Sequence, residues 1–329
     1  VWQDFRDGSG DIRGAQFFAD TGVPLGDVLV SGVSSLQESA PEIGFAQANY
    51  LVTYRQQDGA DVKVLGRRYL DDFTSLDSSS LDLSGMQSGG NPAVASQGST
   101  FFVTWRGGGQ VWLTSLAQSG MVTPGAPTQL GGTNNPQLNA RIAPIGAAQL
   151  YVVWQQGSPD ADVFGDRLAL NLNSLGPSGA ISSAANDQQF PEVAGGAGGA
   201  LVVWQDFRNG SNSDALYGAR IQANGTVQDS LGFPLMELSG GVFEPAVVKG
   251  PGDDYLIAAV RRQQGSERIF VRLVRDEDPD GTMNNTGADQ VAADGETPME
   301  VVFGPATGPS PAMGVEGLDV ADGTLYTVE

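Results

Sequence analysis

Three carboxylates at alternate positions, Asp276, Asp278 and Asp280, followed by Gly281 and then Asn284, make the sharpest chemical motif in the chain. A hard divalent cation takes several oxygen ligands from one tight loop, and a D-x-D-x-D-G run offers them in the way calcium requires, with glycine at the sharp turn. The run departs from an EF-hand, because Gly287 stands where a bidentate glutamate would close the coordination shell and no helices flank it. A calcium loop inserted between strands, with Asp276, Asp278, Asp280 and Asn284 as ligands, is the expectation. The competing reading is that Asp280-Gly281-Thr282, which lines up with Asn224-Gly225-Thr226, is an ordinary hairpin turn carrying extra solvated acids.

Other chemistry is narrowed by what the chain lacks. It has no cysteine and no histidine, so thiolate or imidazole metal sites and Ser-His-Asp or Cys-His nucleophiles cannot be built. Catalysis would fall to Asp, Glu, Tyr, Lys or Arg. Seventeen basic against 38 acidic residues give a formal net charge of −21, which repels phosphate backbones and anionic headgroups. Nucleic acid is therefore not an expected partner. No run of apolar residues is long enough to span a membrane as a helix. The Asp-x-Arg element in Trp2-Gln3-Asp4-Phe5-Arg6 and Trp204-Gln205-Asp206-Phe207-Arg208 recurs at one phase of the sequence, which points to a structural role. By the same reasoning Trp2, Trp105, Trp154 and Trp204 read as core rather than as a sugar-stacking ring, with Trp112 the least typical. Carboxylates are plentiful, yet none stands out from the repeat as a central pair, and no catalytic residue is assigned.

The elements that must position these groups are repeats. A short apolar run ending in an aromatic residue returns roughly every fifty residues, at Val1-Trp2, Val52-Thr53-Tyr54, Val103-Thr104-Trp105, Val152-Val153-Trp154 and Val202-Val203-Trp204, with a degenerate copy at Ala258-Ala259-Val260. An X-Pro step precedes each later copy, at Ala40-Pro41, Asn91-Pro92, Asn135-Pro136, Phe190-Pro191 and Glu244-Pro245, and a sixth, Thr297-Pro298, has no aromatic run after it. Proline reads here as the opening residue of a strand, with the residue before it held extended. A third run follows, as in Asp61-Val62-Lys63-Val64-Leu65-Gly66 and Ala215-Leu216-Tyr217-Gly218, then a glycine turn such as Asn224-Gly225 and a looser fourth strand. Each repeat is thus a four-stranded antiparallel meander, and the fold class is all-β, a β-propeller.

The proline, the valine pair, the "VVWQD-R-NG" run, the "D-I/L-Y-G" run and the "NG" turn, fullest between Val202 and Thr226, resemble the secreted and periplasmic TolB-like, WD40-like propeller repeats. That resemblance, with the scarcity of lysine, implies an extracellular, cell-surface or periplasmic location. The phasing predicts six blades with repeats near 1–40, 41–91, 92–135, 136–190, 191–244 and 245–297. A closing strand at 298–304 would pair with Val1 to Gln3, leaving 305–329 as a tail. Gly317 to Thr324 looks like another third strand and turn, so a seventh, degenerate blade is the alternative. The functional expectation is a noncatalytic binding or scaffold propeller that engages a protein or glycan, or another copy of itself, through one face of the ring. The alternative is a glycan-active hydrolase with a carboxylate site at the ring centre. The Ser-x-Asp-x-Gly-x-x-Trp turns of sialidase-like propellers are absent.

Overall fold

The computed structural model describes residues 1–274, apart from loop residues 7, 9, 19–22, 33–35, 121–123, 131–135, 158, 211–213, 238–240, 251–253 and 264–265, together with the strand at 299–301. It is all-β, a β-propeller of antiparallel sheets. Sheet 1 has three strands, Trp2–Asp4, Asp11–Phe17 and Pro24–Ser31. Sheets 2 to 6 have four each, in chain order from inner to outer edge. Their innermost strands are Gln37–Ala46, Gly90–Gln97, Gln137–Ile145, Gln188–Gly196 and Val242–Lys249. Successive innermost strands lie against one another, whereas the fourth strands stand apart at the rim.

Sheets 2 to 5 carry buried apolar residues on both faces, so none of them can bury itself alone. The second strand of sheet 5, Gly199–Asp206, is buried at every residue. The apolar residues collect into five clusters, one for each seam between consecutive sheets from 1 to 6 among the described residues. Trp105, Trp154 and Trp204 are fully buried at the centres of these seams, as a core role requires. A fully buried side chain of this size contributes on the order of 2–3 kcal/mol through its transfer from water. Backbone bonds reinforce the seams: the amides of Glu38, Gly89, Gln137, Gln188 and Val242 donate to the carbonyls of Gly10, Val62, Gly109, Ala161 and Asp214 in the preceding sheet.

The X-Pro steps differ from expectation. At four of them the residue before proline is not extended but left-handed, with φ of 49° at Ala40, 52° at Asn91, 51° at Phe190 and 52° at Glu244. Here the pairing register slips, for instance from Gln189 opposite Gln205 to Glu192 opposite Val203, so Phe190 and Pro191 together face one residue of the neighbouring strand. This is a β-bulge, which leaves an amide without a ladder partner, and proline is tolerated because it has no amide to lose. Proline therefore sits inside the inner strand rather than opening it. In sheet 4 the bulge falls at Asn139, φ 51°, followed by Ala140. Pro136 lies outside that strand, and the Asn135-Pro136 marker is four residues out of phase with its counterparts.

At the far end, Met299–Val301 pairs with Ser266–Val274 as the fourth strand of sheet 6, not beside Trp2–Asp4 as a closing strand would. The reason is local: sheet 6, like its predecessors, has a third strand with a free outer edge to cover. Residues 305–329 lie outside the described residues.

Candidate functional site

The bulge makes the five inner strands comparable position by position. The residue immediately after each bulge is Glu42, Ala93, Arg141, Glu192 and Ala246, paired with Thr53, Thr104, Val153, Val203 and Ala258 respectively. Three of these five are charged, and they converge although they come from sheets 2, 4 and 5. Arg141 donates from Nε to Glu192 Oε1 at 2.6 Å and from Nη1 to its neighbour's carbonyl, Ala140 O, at 3.2 Å. Side-chain exposures of 26% for Arg141 and 23% for Glu192 place the pair in a recess that solvent still reaches.

Electrostatics in the recess favour protons. Desolvation pushes Glu192 up to about 7 in spite of the pull of Arg141, and the charge of Glu42 adds to the rise. Burial raises Glu42 as well, and Arg141 again opposes it. Two carboxyls that feel each other and share one guanidinium do not ionise independently: the charge of one holds the proton on the other. A group that carries a proton near neutral pH beside one that can carry a charge is the arrangement needed for paired acid and base work.

This site was missed by the sequence reading, which found no carboxylate pair departing from the repeat. Glu42 and Glu192 do depart from it, since Ala93 and Ala246 occupy the same position in sheets 3 and 6. The signal was the residue after each proline. It was obscured because the misphased Pro136 hid Arg141, which follows Ala140 where the other inner strands have proline.

Asp276, Asp278, Asp280 and Asn284, expected to bind calcium, lie outside the described residues. Among the described residues no cluster of three or more acids is arranged to hold a metal. The Asp-x-Arg elements prove structural: Asp206 accepts from Trp204 Nε1 at 2.8 Å and from Arg208 Nε and Nη2 at 2.8 and 2.7 Å, closing the loop after the strand. Asp4 repeats this with Trp2 and Arg6, whose amide and guanidinium hold it down at about 2. The basic pair Arg67 and Arg68 is likewise absorbed, Arg68 by buried Asp77 and by the carbonyls of Ala117 and Gly120 in sheet 3, and Arg67 in part by the Val30 carbonyl of sheet 1. Trp112 is half-buried and donates to the Gly107 carbonyl at 3.0 Å.

No protein-family model matches the chain, and no curated protein matches it. Solved structures do. A subtype N11 neuraminidase-like protein of an influenza virus from a flat-faced bat in Peru aligns with 83% of this chain and 78% of its own, at 11% identity and a TM-score of 0.52. An endo-arabinase from Bacteroides thetaiotaomicron aligns over 73% of this chain and 94% of its own, at 14% identity and a TM-score of 0.46. A family GH62 α-L-arabinofuranosidase from Coprinopsis cinerea aligns over 70% and 85%, at 9% identity and a TM-score of 0.45. The likeness is one of propeller fold, and it brings no TolB-like or WD40-like family with it. The expectation of a noncatalytic binding or scaffold ring is corrected at this point: it assigned nothing to the position after the bulge, where Glu192 is bonded to Arg141 and feels the charge of Glu42, an arrangement suited to acid and base work. Among the described residues no helix is long and apolar enough to cross a membrane.

Proposed function

We propose that this propeller is a glycoside hydrolase whose reaction is carried by Glu192 and Glu42 at the ring centre. The observation that supports it most is the convergence of Glu42, Arg141 and Glu192 from three sheets onto one recess, at a position where two other sheets carry alanine. Glu192, protonated up to about 7, is the general acid that delivers its proton to the glycosidic oxygen as the bond to the leaving sugar breaks. Glu42 is the opposing carboxylate, which draws the proton from an attacking water or itself attacks the anomeric carbon. Arg141 is a positioning residue: it fixes the Glu192 carboxyl and, as Glu192 protonates, leaves its charge to stabilise Glu42 as an anion. The separation of the two carboxyls governs the stereochemical outcome, which proton NMR of the first-formed anomer would read.

The test is turnover on a panel comprising arabinan, arabinoxylan, β-1,3-galactan and sialyllactose, with E192Q and E42Q alongside the wild type. Each substitution is expected to lower kcat by about 10²–10⁴ while the folded circular dichroism spectrum persists. A wild type that cleaves none of the panel, or substituted proteins as active as the wild type, would overturn the reading. A polymer-cleaving role accords with an extracytoplasmic location. The acidic loop at Asp276, Asp278, Asp280 and Asn284 is proposed, on sequence alone, to bind calcium. Millimolar calcium should then raise the Tm over that in chelator, and the D278N/D280N double variant should lose the rise.

A further inference from the structure

We propose that Phe190 is the sugar-stacking platform of this site, which deepens the hydrolase reading and rests on it. Phe190 stands at the bulge of sheet 5, two residues before Glu192, and is 43% exposed. Its φ is 51°, a left-handed conformation that asparagine tolerates and that a bulky aromatic rarely adopts. At the same bulge position sheets 3 and 4 have asparagine, Asn91 and Asn139.

The core does not call for the ring, since Phe190 belongs to none of the five apolar seams. Strain held at a special position without a packing return is a reason to look for a ligand. The surroundings say which ligand. The amide of Phe190 donates to Gln155 Oε1, and Asn139 Nδ2 donates to that same oxygen at 3.0 Å, so the bulge of sheet 5 is tied to the bulge of sheet 4. Two residues on, Glu192 is tied to Arg141 of sheet 4. The Phe190 backbone and the Glu192 carboxyl are thus both tied across one seam to the same neighbouring sheet. An exposed flat apolar face two residues from a carboxylic acid on one strand suits the C–H face of a pyranose or furanose ring, which stacks on aromatics while its glycosidic oxygen remains open to the acid.

The experiment compares F190N and F190W with the wild type and with E192Q, by kinetics on whichever panel glycan the wild type cleaves and by affinity electrophoresis in gels containing arabinan or β-1,3-galactan. F190N is expected to raise KM about tenfold with kcat within about twofold, the loss of one stacking contact. F190W should keep KM near the wild-type value. Because asparagine relieves the backbone, F190N should also melt about 1–2 °C higher than the wild type, so weakened binding cannot be put down to a damaged fold. An F190N protein with unchanged KM and unchanged retardation in the gel overturns the platform, as does an F190W protein impaired as much as F190N. Full turnover in E192Q would overturn the role given to Glu192 alone, and a wild type that cleaves none of these glycans yet shows retardation dependent on Phe190 would overturn the hydrolase reading while leaving the platform standing. A wild type neither cleaving nor retarded by any of these glycans would remove both.

Discussion

Glu192 and Glu38 are both acids of inner strands whose carboxyls are pushed upward by burial, yet they sit in opposite circumstances. Glu192 lies after the bulge, partly solvated and bonded to a guanidinium. Glu38 lies before the bulge, with no exposed surface, sealed in the seam between sheets 1 and 2. It accepts from Ser31 Oγ at 2.6 Å and Gln56 Nε2 at 2.9 Å, both through Oε1, while Oε2 has no hydrogen-bond partner. Sheets 4 and 5 fill the equivalent position with amides, Gln137 and Gln188, each fully buried. The same chemical group four residues apart in the repeat is therefore available for chemistry in one place and only a cost to stability in the other. What separates them is the bulge, which changes the face taken by the residue that follows it and leaves the preceding one in the seam.

The comparison breaks most visibly in turnover. E192Q should lower activity by about 10²–10⁴, whereas E38Q should leave kcat and KM within about twofold of the wild type. Assay of both variants on one cleaved glycan checks this, and equal losses would mean that position relative to the bulge does not decide function.

A smaller effect sharpens the electrostatic half of the argument. The wild-type rate should fall as pH rises through about 7, because a general acid must hold its proton and Glu192 loses it there. Arg141 opposes the upward push on Glu192, so R141M should move this alkaline limb to higher pH while lowering the maximal rate by about tenfold to a hundredfold. The pH profile of kcat/KM would show it. A limb that stays in place, or moves down, would show that Arg141 does not set the protonation of Glu192.

How much of this was legible in the sequence follows from the same geometry. The propeller was readable because Tyr54, Trp105, Trp154 and Trp204 recur at the seam centres, where both faces of each sheet must be apolar. The placement of sheet 4 was misread because Ala140 stands where its counterparts have proline, and the proline nearest before it, Pro136, precedes the strand. The site was hidden by a related cause. A bulge changes which residues reach the ring centre, and period-two alternation carries no record of it, so Glu42 and Glu192 looked like any strand carboxylates. The orphaned Trp105 Nε1 was equally invisible: Trp154 and Trp204 donate to the residue two positions on, Gln156 and Asp206, but the corresponding residue here is Gly107. A side chain cannot be restored there, because a Cβ on Gly107 would lie 2.3 Å from the Ser88 carbonyl oxygen.

The smallest effect isolates Glu38 itself. In E38Q the amide oxygen retains the bonds from Ser31 and Gln56, and the new N–H groups take the place of the unpartnered Oε2 near Asp11, whose charge pushes the Glu38 carboxyl upward after burial has done most of the work. A carboxyl raised in the folded state contributes stability that is fully present below its unfolded value, near 4.5, and is lost as pH rises through the folded one. Glutamine carries no such dependence. The two proteins should therefore melt alike near pH 4, and E38Q should become progressively more stable above it. The gain should level off at about 1–3 kcal/mol, the cost of leaving one buried polar group unsatisfied. Thermal melts between pH 4 and pH 8.5 measure the difference directly. Parallel curves would mean that the buried acid keeps one charge state across that range, and the contrast between the two glutamates would then rest on geometry alone.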